Sequence, residues 1–399
     1  MSNKKKIIQA NFDYILKDFE SDANPGAELE ELAGGLTLRR EARITFPPNQ
    51  IDIHPYIVFI IFVYLKKFEF AGRWEKVAWE IQIKFKGTPF MLTHRKFGFR
   101  IIAYSESELI SQRGVEAIEQ IKKAIPLAEE LIEPLIKSTV NARNITLANE
   151  YINIENRYHF FRKKAEHEFS KYDKMEKADK PKLEGGLSDL FKSHNESMDR
   201  LQEGNYYLIA MLDSYFSLLE HAFVLLLPLL DNKELGEVNM ETFIGYNWKD
   251  KYKAIFPLTS DKEVWQLLER LDKIKEQLRN PLTHGYFLKK GNSFYAHMDH
   301  LGAIPVTLTK TNNKLKYFFG AITPLTFKEI CKCFDDCDEF LSNHSLTKFG
   351  MQYIKSGLSV AFDKSSSNKY RSAMVSQELF DQFIDYIGCQ QDDAANMDW

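Results

Sequence analysis

Apolar residues recur at spacings of three and four through 187–230, where Leu208, Leu212, Tyr215, Leu219, Ala222, Phe223 and Leu226 predict a helix. The helix is apolar around most of its circumference and belongs in a bundle core. Asp213, Ser217 and Glu220 interrupt that surface at i, i+4 and i+7, which places all three on one stripe. If the stripe is buried its carboxylates need partners, and Arg279 is the obvious one. A second helix is predicted over 261–278, with Val264, Leu267, Leu268, Leu271, Ile274 and Leu278 on one face and Asp261 as its cap.

Near the N-terminus the period changes to two. Segments 79–86, 90–93 and 97–104 alternate and predict a small meander, with Lys86-Gly87-Thr88-Pro89 as a turn. The run 56–65 is apolar all round and reads equally as a buried helix or a central strand. Two helices follow over about 106–174, broken near Pro134; the second is dense in charged and aromatic residues and reads as a solvated connector or a dimerising arm. Lys180-Pro181-Lys182 and Gly185-Gly186 mark 173–186 as a linker. Short alternating segments after 285, separated by 289–292 and 311–314, read as two appended hairpins, and helices resume near Thr326. The expected fold class is α+β, mostly α: a small α/β module over 1–105, a helical connector and linker over 106–180, and a helical bundle with β-hairpins over 187–390.

Composition narrows the function classes. A chain of 399 residues with 44% apolar and 13% aromatic residues is long enough for two folded domains. A net charge of -3 argues against broad, sequence-blind nucleic-acid binding, so any RNA must be recognised locally. Four cysteines make no disulfide framework, and the basic start Lys4-Lys5-Lys6 lacks the apolar segment of a signal peptide. The longest apolar runs, 57–65 and 222–230, fall short of the roughly 20 residues needed to span a bilayer. A soluble, cytoplasmic protein is expected, with no membrane partner.

One stretch is built for chemistry: Arg279-Asn280-Pro281-Leu282-Thr283-His284-Gly285, at the end of the second helix. Pro281 lacks a backbone donor and should stop or kink that helix near Asn280, which can cap a short new turn ended by Gly285. On a straight helix Arg279 and His284 would lie roughly 140° apart, and the break removes that obstacle. An arginine offers a planar fork of donors for a phosphate, and a neutral histidine can take up a proton.

This motif resembles that of the HEPN superfamily, whose ribonuclease members carry an Arg, four to six residues, then a His, often with Asn directly after the Arg. The resemblance covers about 187–342 and includes Tyr215-Phe216-Ser217-Leu218-Leu219-Glu220-His221 on the upstream helix and Gly285-Tyr286-Phe287 after the motif. It implies a metal-independent endoribonuclease that needs no cofactor. Arg279 would bind the scissile phosphate, and His284 would act as general base to a ribose 2′-hydroxyl or general acid to the leaving 5′-oxygen. Asn280 is a polar helper on this reading, or simply the helix cap. Glu220 and Asp213 are supporting residues that orient Arg279 or His284. The resemblance further implies 2′,3′-cyclic phosphate products, a homodimer with a composite site, and a role as a toxin or in antiviral abortive infection. The N-terminal module would then sense a trigger or bind an inhibitor partner.

Other readings stand beside this one. The same groove suits a non-catalytic HEPN-like scaffold that binds nucleotide, RNA or a protein. Arg162 and His167 match the bare spacing but sit in a charged helical run and read as a solvated face. Cys331, Cys333 and Cys337 follow helical rather than zinc-knuckle spacing and read as buried thiols. His297, Asp299 and His300 sit at a hairpin end, where a metal-dependent hydrolase would enlist His284, His297 and His300. Lys84, Lys86, Arg95, Lys96 and Arg100, interleaved with Phe85, Phe90, Phe97 and Phe99, give either an RNA-facing sheet or a strand pair with one wet and one core face.

Overall fold

Strand β3 (Val77–Phe85) buries every second residue, so Val77, Trp79, Ile81, Ile83 and Phe85 enter a core while Glu80, Gln82 and Lys84 do not. A two-residue turn, Lys86-Gly87, joins it to β4 (Thr88–Arg95); both turn residues have positive φ, 50° and 74°, the backbone a tight twisted hairpin requires. With β5 (Gly98–Ala103), β1 (Phe19–Ser21) and β2 (Ile44–Phe46) they form an antiparallel sheet of order β1-β3-β4-β5-β2. The computed structural model describes residues 3–22, 44–103, 107–177, 186–230, 240–256, 261–279, 287–288, 291–300, 302–308, 315–317 and 324–397.

Two compact units divide the chain. The first comprises Met1–Ala142 and Asp385–Trp399, the second Arg143–Ile384. In the first, helix Asn3–Ile15 with Leu16 just beyond it and helix Glu108–Asn141 lend Phe12, Leu16, Ile118, Ile121, Ala124 and Ala128 to the core beside the sheet. The ambiguous run 56–65 is helical: Pro55–Phe59 passes into a π-helical stretch, Ile60–Leu65, that buries Val58, Ile61 and Phe62. Phe85, Phe90 and Phe99 are core residues, whereas Arg95 pairs with Glu80 at 2.8 Å and Lys86 with Glu116 at 2.6 Å. One face of the sheet is thus apolar, and these cations are matched by carboxylates.

The expected break near Pro134 does not occur. Helix Glu108–Asn141 runs through Pro126 and Pro134, because Ala128, Leu131 and Ile132 keep that part of the helix anchored by burial. It ends instead at Ala142, followed by Arg143 in the left-handed region at φ 59°. The helix up to Ala142 falls in the first unit, and helix Tyr151–Lys177 falls in the second.

Helix Tyr151–Lys177 is likewise no solvated arm. It buries Tyr151, Tyr158, Ala165 and Phe169, a narrow seam at intervals of seven, seven and four. The seam packs antiparallel on the long core helix Gly186–Leu226: Phe169 lies over Gly204, and Tyr158 meets Tyr215 with ring centroids 5.0 Å apart. Helix Pro324–Asn343 closes this core by stacking Phe334 on Tyr215 at 3.7 Å. Helices Trp248–Ile255, Lys348–Lys355 and Lys364–Ala373 add Tyr252, Ile354 and Tyr370. Strand β6 (Thr146–Leu147) pairs with β11 (Val360–Ala361), while β7 (Phe287–Leu288), β8 (Gly291–Met298), β9 (Gly302–Leu308) and β10 (Leu315–Tyr317) make a four-stranded antiparallel meander. Helix Gln377–Asn396 ends the described chain.

The chain is mostly helical with small antiparallel sheets. Among the described residues one helical stretch, Phe191–Leu229, is long and apolar enough to cross a membrane; 67% of its most apolar window is buried within the protein.

Candidate functional site

The motif helix begins at Asp261, whose carboxylate accepts from the backbone N–H groups of Glu263 and Val264. It is α-helical over Lys262–Ile274 and then widens into a π-helical turn, Lys275–Arg279. Such turns are rare and occur often at functional sites. Arg279 ends the turn; Asn280 and His284 lie outside the described residues.

The polar stripe of the core helix receives this turn. Between Met211 and Glu220, Asp213, Ser217 and Glu220 are the three positions that are not buried. Arg279 Nε donates to Asp213 Oδ1 at 2.7 Å. Glu220 does not meet Arg279. It is shared by two lysines, with Lys275 Nζ at 3.4 Å and Lys251 Nζ at 3.8 Å. Ser217 turns its hydroxyl back to the Asp213 carbonyl at 2.8 Å.

Lys275 and Lys251 are the site residues that periodicity alone does not reveal. Lys251 lies in helix Trp248–Ile255 at a core position of the set Trp248, Lys251, Tyr252, Ile255, and its side chain is only 5% exposed. A lysine where the apolar pattern demands a hydrophobe is the signal for it. Lys275 lies one turn before Arg279, its ammonium 4.9 Å from the centroid of Phe216 and 5.5 Å from that of Trp248. Burial lowers the pKa of both lysines, against the opposing pull of Glu220; the neighbouring Arg279 lowers that of Lys275 further. Three cations thus meet two carboxylates.

His221, one residue beyond Glu220, is half-buried. Its Nε2 accepts the Glu150 backbone N–H at 3.0 Å, and burial lowers its pKa, so it stays neutral. Arg162 pairs with Asp335 and Tyr158 rather than pointing into solvent, while His167 remains exposed. Cys331, Cys333 and Cys337 are buried, and burial pushes their thiols up, that of Cys331 to about 11. His297, Asp299 and His300 sit exposed at the β8–β9 hairpin end. Among the described residues no group of three or more His, Cys, Asp or Glu gathers to hold a metal ion. A groove of about 820 Å³ between the motif helix and helix Pro324–Asn343 is lined by Glu263, Arg270, Lys273, Asp336 and His344, and neither Arg279 nor Asp213 borders it.

No protein-family model matches the chain, and no curated protein or solved structure matches it either. The fold defines a mostly helical α+β protein of two compact units, and its candidate site is an arginine delivered by a π turn to a carboxylate on the core helix.

Proposed function

We propose that the chain is a metal-independent endoribonuclease of the HEPN type. The observation that carries this reading is Arg279 at the end of the motif helix, held through Nε by Asp213 and 27% exposed, immediately before Asn280 and five residues before His284 in the sequence. A guanidinium oriented by a carboxylate can present its planar fork to a phosphodiester. In the reaction His284 takes the proton from a ribose 2′-hydroxyl, or protonates the leaving group. The 2′-oxygen forms a bond to phosphorus, the P–O5′ bond breaks, and the 5′-oxygen leaves with a proton. Arg279 stabilises the charge that grows on the phosphoryl oxygens. The products are a 2′,3′-cyclic phosphate and a 5′-hydroxyl, and no cofactor takes part.

On this reading two copies combine their motifs in one composite site, the biological setting is a toxin or abortive antiviral response, and the N-terminal unit responds to a trigger or inhibitor. Incubating purified protein with structured and single-stranded RNAs in EDTA tests the chemistry: cleavage that survives chelation and is lost in His284→Ala and Arg279→Ala is expected. Equal cutting by both variants and the wild type would end the proposal.

One observation favours a second reading. Asp213 already neutralises Arg279, and the chain carries a net charge of -3, which suits a binding scaffold better than a phosphate trap. Such a scaffold holds a protein, nucleotide or RNA without cutting RNA, and the same incubation separates the two.

A further inference from the structure

Two rungs join the motif helix to the core helix, and their order fixes the register. Asp213 and Glu220, seven residues apart, are separated by about 10.5 Å along the helix axis. Arg279 reaches the first at 2.7 Å and Lys275 the second at 3.4 Å. A slip of the motif helix by one turn would set Lys275 opposite Asp213 and leave Glu220 facing Leu271, a fully buried leucine. The pairing admits one alignment.

The π turn makes both rungs reachable. An α-helix turns 100° per residue, so the eight residues from Leu271 to Arg279 would carry Arg279 about 80° away from the buried side. A π turn holds more residues per turn and removes much of that swing. Lys275 occupies its first position, only 15% exposed, seated on the faces of Phe216 and Trp248, which are themselves buried. Lys251 supplies the second cation that Glu220 holds. Two little-exposed lysines on one half-buried carboxylate are a poor way to gain stability, because desolvation cancels much of the attraction, whereas the group specifies one arrangement well.

We propose that Glu220, Lys251 and Lys275 form a positioning device for Arg279. The Glu220–Lys275 rung, seated on Phe216 and Trp248, clamps the π turn to the core helix and thereby holds the Arg279 guanidinium on Asp213. Glu220 acts on Arg279 through Lys275 rather than by contact. The consequence for catalysis rests on the ribonuclease reading; the clamp itself does not.

The test uses the full chain with 15N-labelled arginine and follows hydrogen exchange of the Arg279 Nε–H, assigned by its disappearance in Arg279→Lys. The wild type should protect this proton. In Lys275→Met and in Glu220→Gln its exchange should quicken by roughly tenfold or more while the unfolding midpoint is kept, and Lys275→Arg should restore protection. RNA cleavage, where present, should lose about tenfold or more in kcat in Lys275→Met, since small misplacement of an oriented group is costly. Unchanged exchange in both variants overturns the clamp. So does loss of the fold in Lys275→Met, which would make the cluster a stability element. If the wild type cuts no RNA the ribonuclease reading fails, and the exchange rates still decide the positioning role.

Discussion

Arg279 Nε and Asp213 Oδ1 lie 2.7 Å apart, across 66 residues of sequence, and the pair joins the last turn of the motif helix to the polar edge of the core helix. The donor used is Nε, on one edge of a planar fork that lysine cannot reproduce. Arg279→Lys should therefore reduce RNA cleavage by roughly a hundredfold while far-UV circular dichroism stays unchanged, because a removed transition-state donor costs about 10²–10³ in kcat. Asp213→Asn keeps an acceptor but loses its charge and should cost less, about tenfold. Steady-state kinetics on one cleavable RNA compares the two directly.

Tyr215 presents one hydroxyl to two acceptors, the Phe334 carbonyl at 3.0 Å and Asp338 Oδ1 at 2.9 Å. A single proton cannot serve both. The hydroxyl's bond to Asp338 favours the ionised carboxylate, against the burial that disfavours that charge. Burial pushes the Asp338 carboxyl up to about 6, with Asp335 and Glu155 adding to the rise and Tyr215 and Lys355 opposing it. Because the folded value lies above the unfolded one, the stabilising contribution is fully present below about pH 4 and is lost as pH rises through 6. Asp338→Asn should thus raise the unfolding midpoint at pH 7.5, by an amount on the order of 2–3 kcal/mol, and change it little at pH 4.5. Denaturant titrations at the two pH values check the sign.

Gly204 lies where the Phe169 ring crosses the core helix, and a Cβ there would sit 3.0 Å from the ring. Glycine is a poor helix residue, so its place in a long helix is explained by that close approach. Gly204→Leu should overpack the seam and cost about 1–3 kcal/mol. A domain of this size loses about 2–4 °C of Tm per kcal/mol, a shift that differential scanning calorimetry resolves.

That seam also marks the limit of what the sequence makes legible. The core helix, the Asp261 cap and the β3–β4–β5 meander follow from period and turn chemistry, because each buries a broad face or alternates cleanly. Helix Tyr151–Lys177 buries one apolar position in seven over most of its length, and its dense charges outweigh that narrow pattern, so it reads as solvated although Tyr158 and Phe169 are core residues. Pro134 fails as a helix stop because burial of Ala128, Leu131 and Ile132 just before it outweighs the local cost of proline. At the site, the stripe Asp213, Ser217, Glu220 and the Asp213–Arg279 pairing are readable from spacing. The diversion of Glu220 to Lys275 and Lys251 is not, since it depends on a π turn that no helical periodicity encodes.

The four cysteines divide by environment, and that division can be counted. Cys331, Cys333 and Cys337 share helix Pro324–Asn343 and are buried, whereas Cys389 on helix Gln377–Asn396 is exposed. A thiol reacts as its thiolate, and burial disfavours that charge: Cys331 is pushed up to about 11 and Cys337 further still. Arg162 and Arg270 pull Cys331 and Cys333 down without overcoming burial. Native protein treated with an aromatic disulfide reagent at pH 8 should therefore release one equivalent quickly, from Cys389, and three more only on unfolding. In Cys389→Ser the fast equivalent should vanish. A fast equivalent that persists in that variant would mean that the helix bearing the other three opens far more readily than its packing on Tyr215 and Phe169 implies.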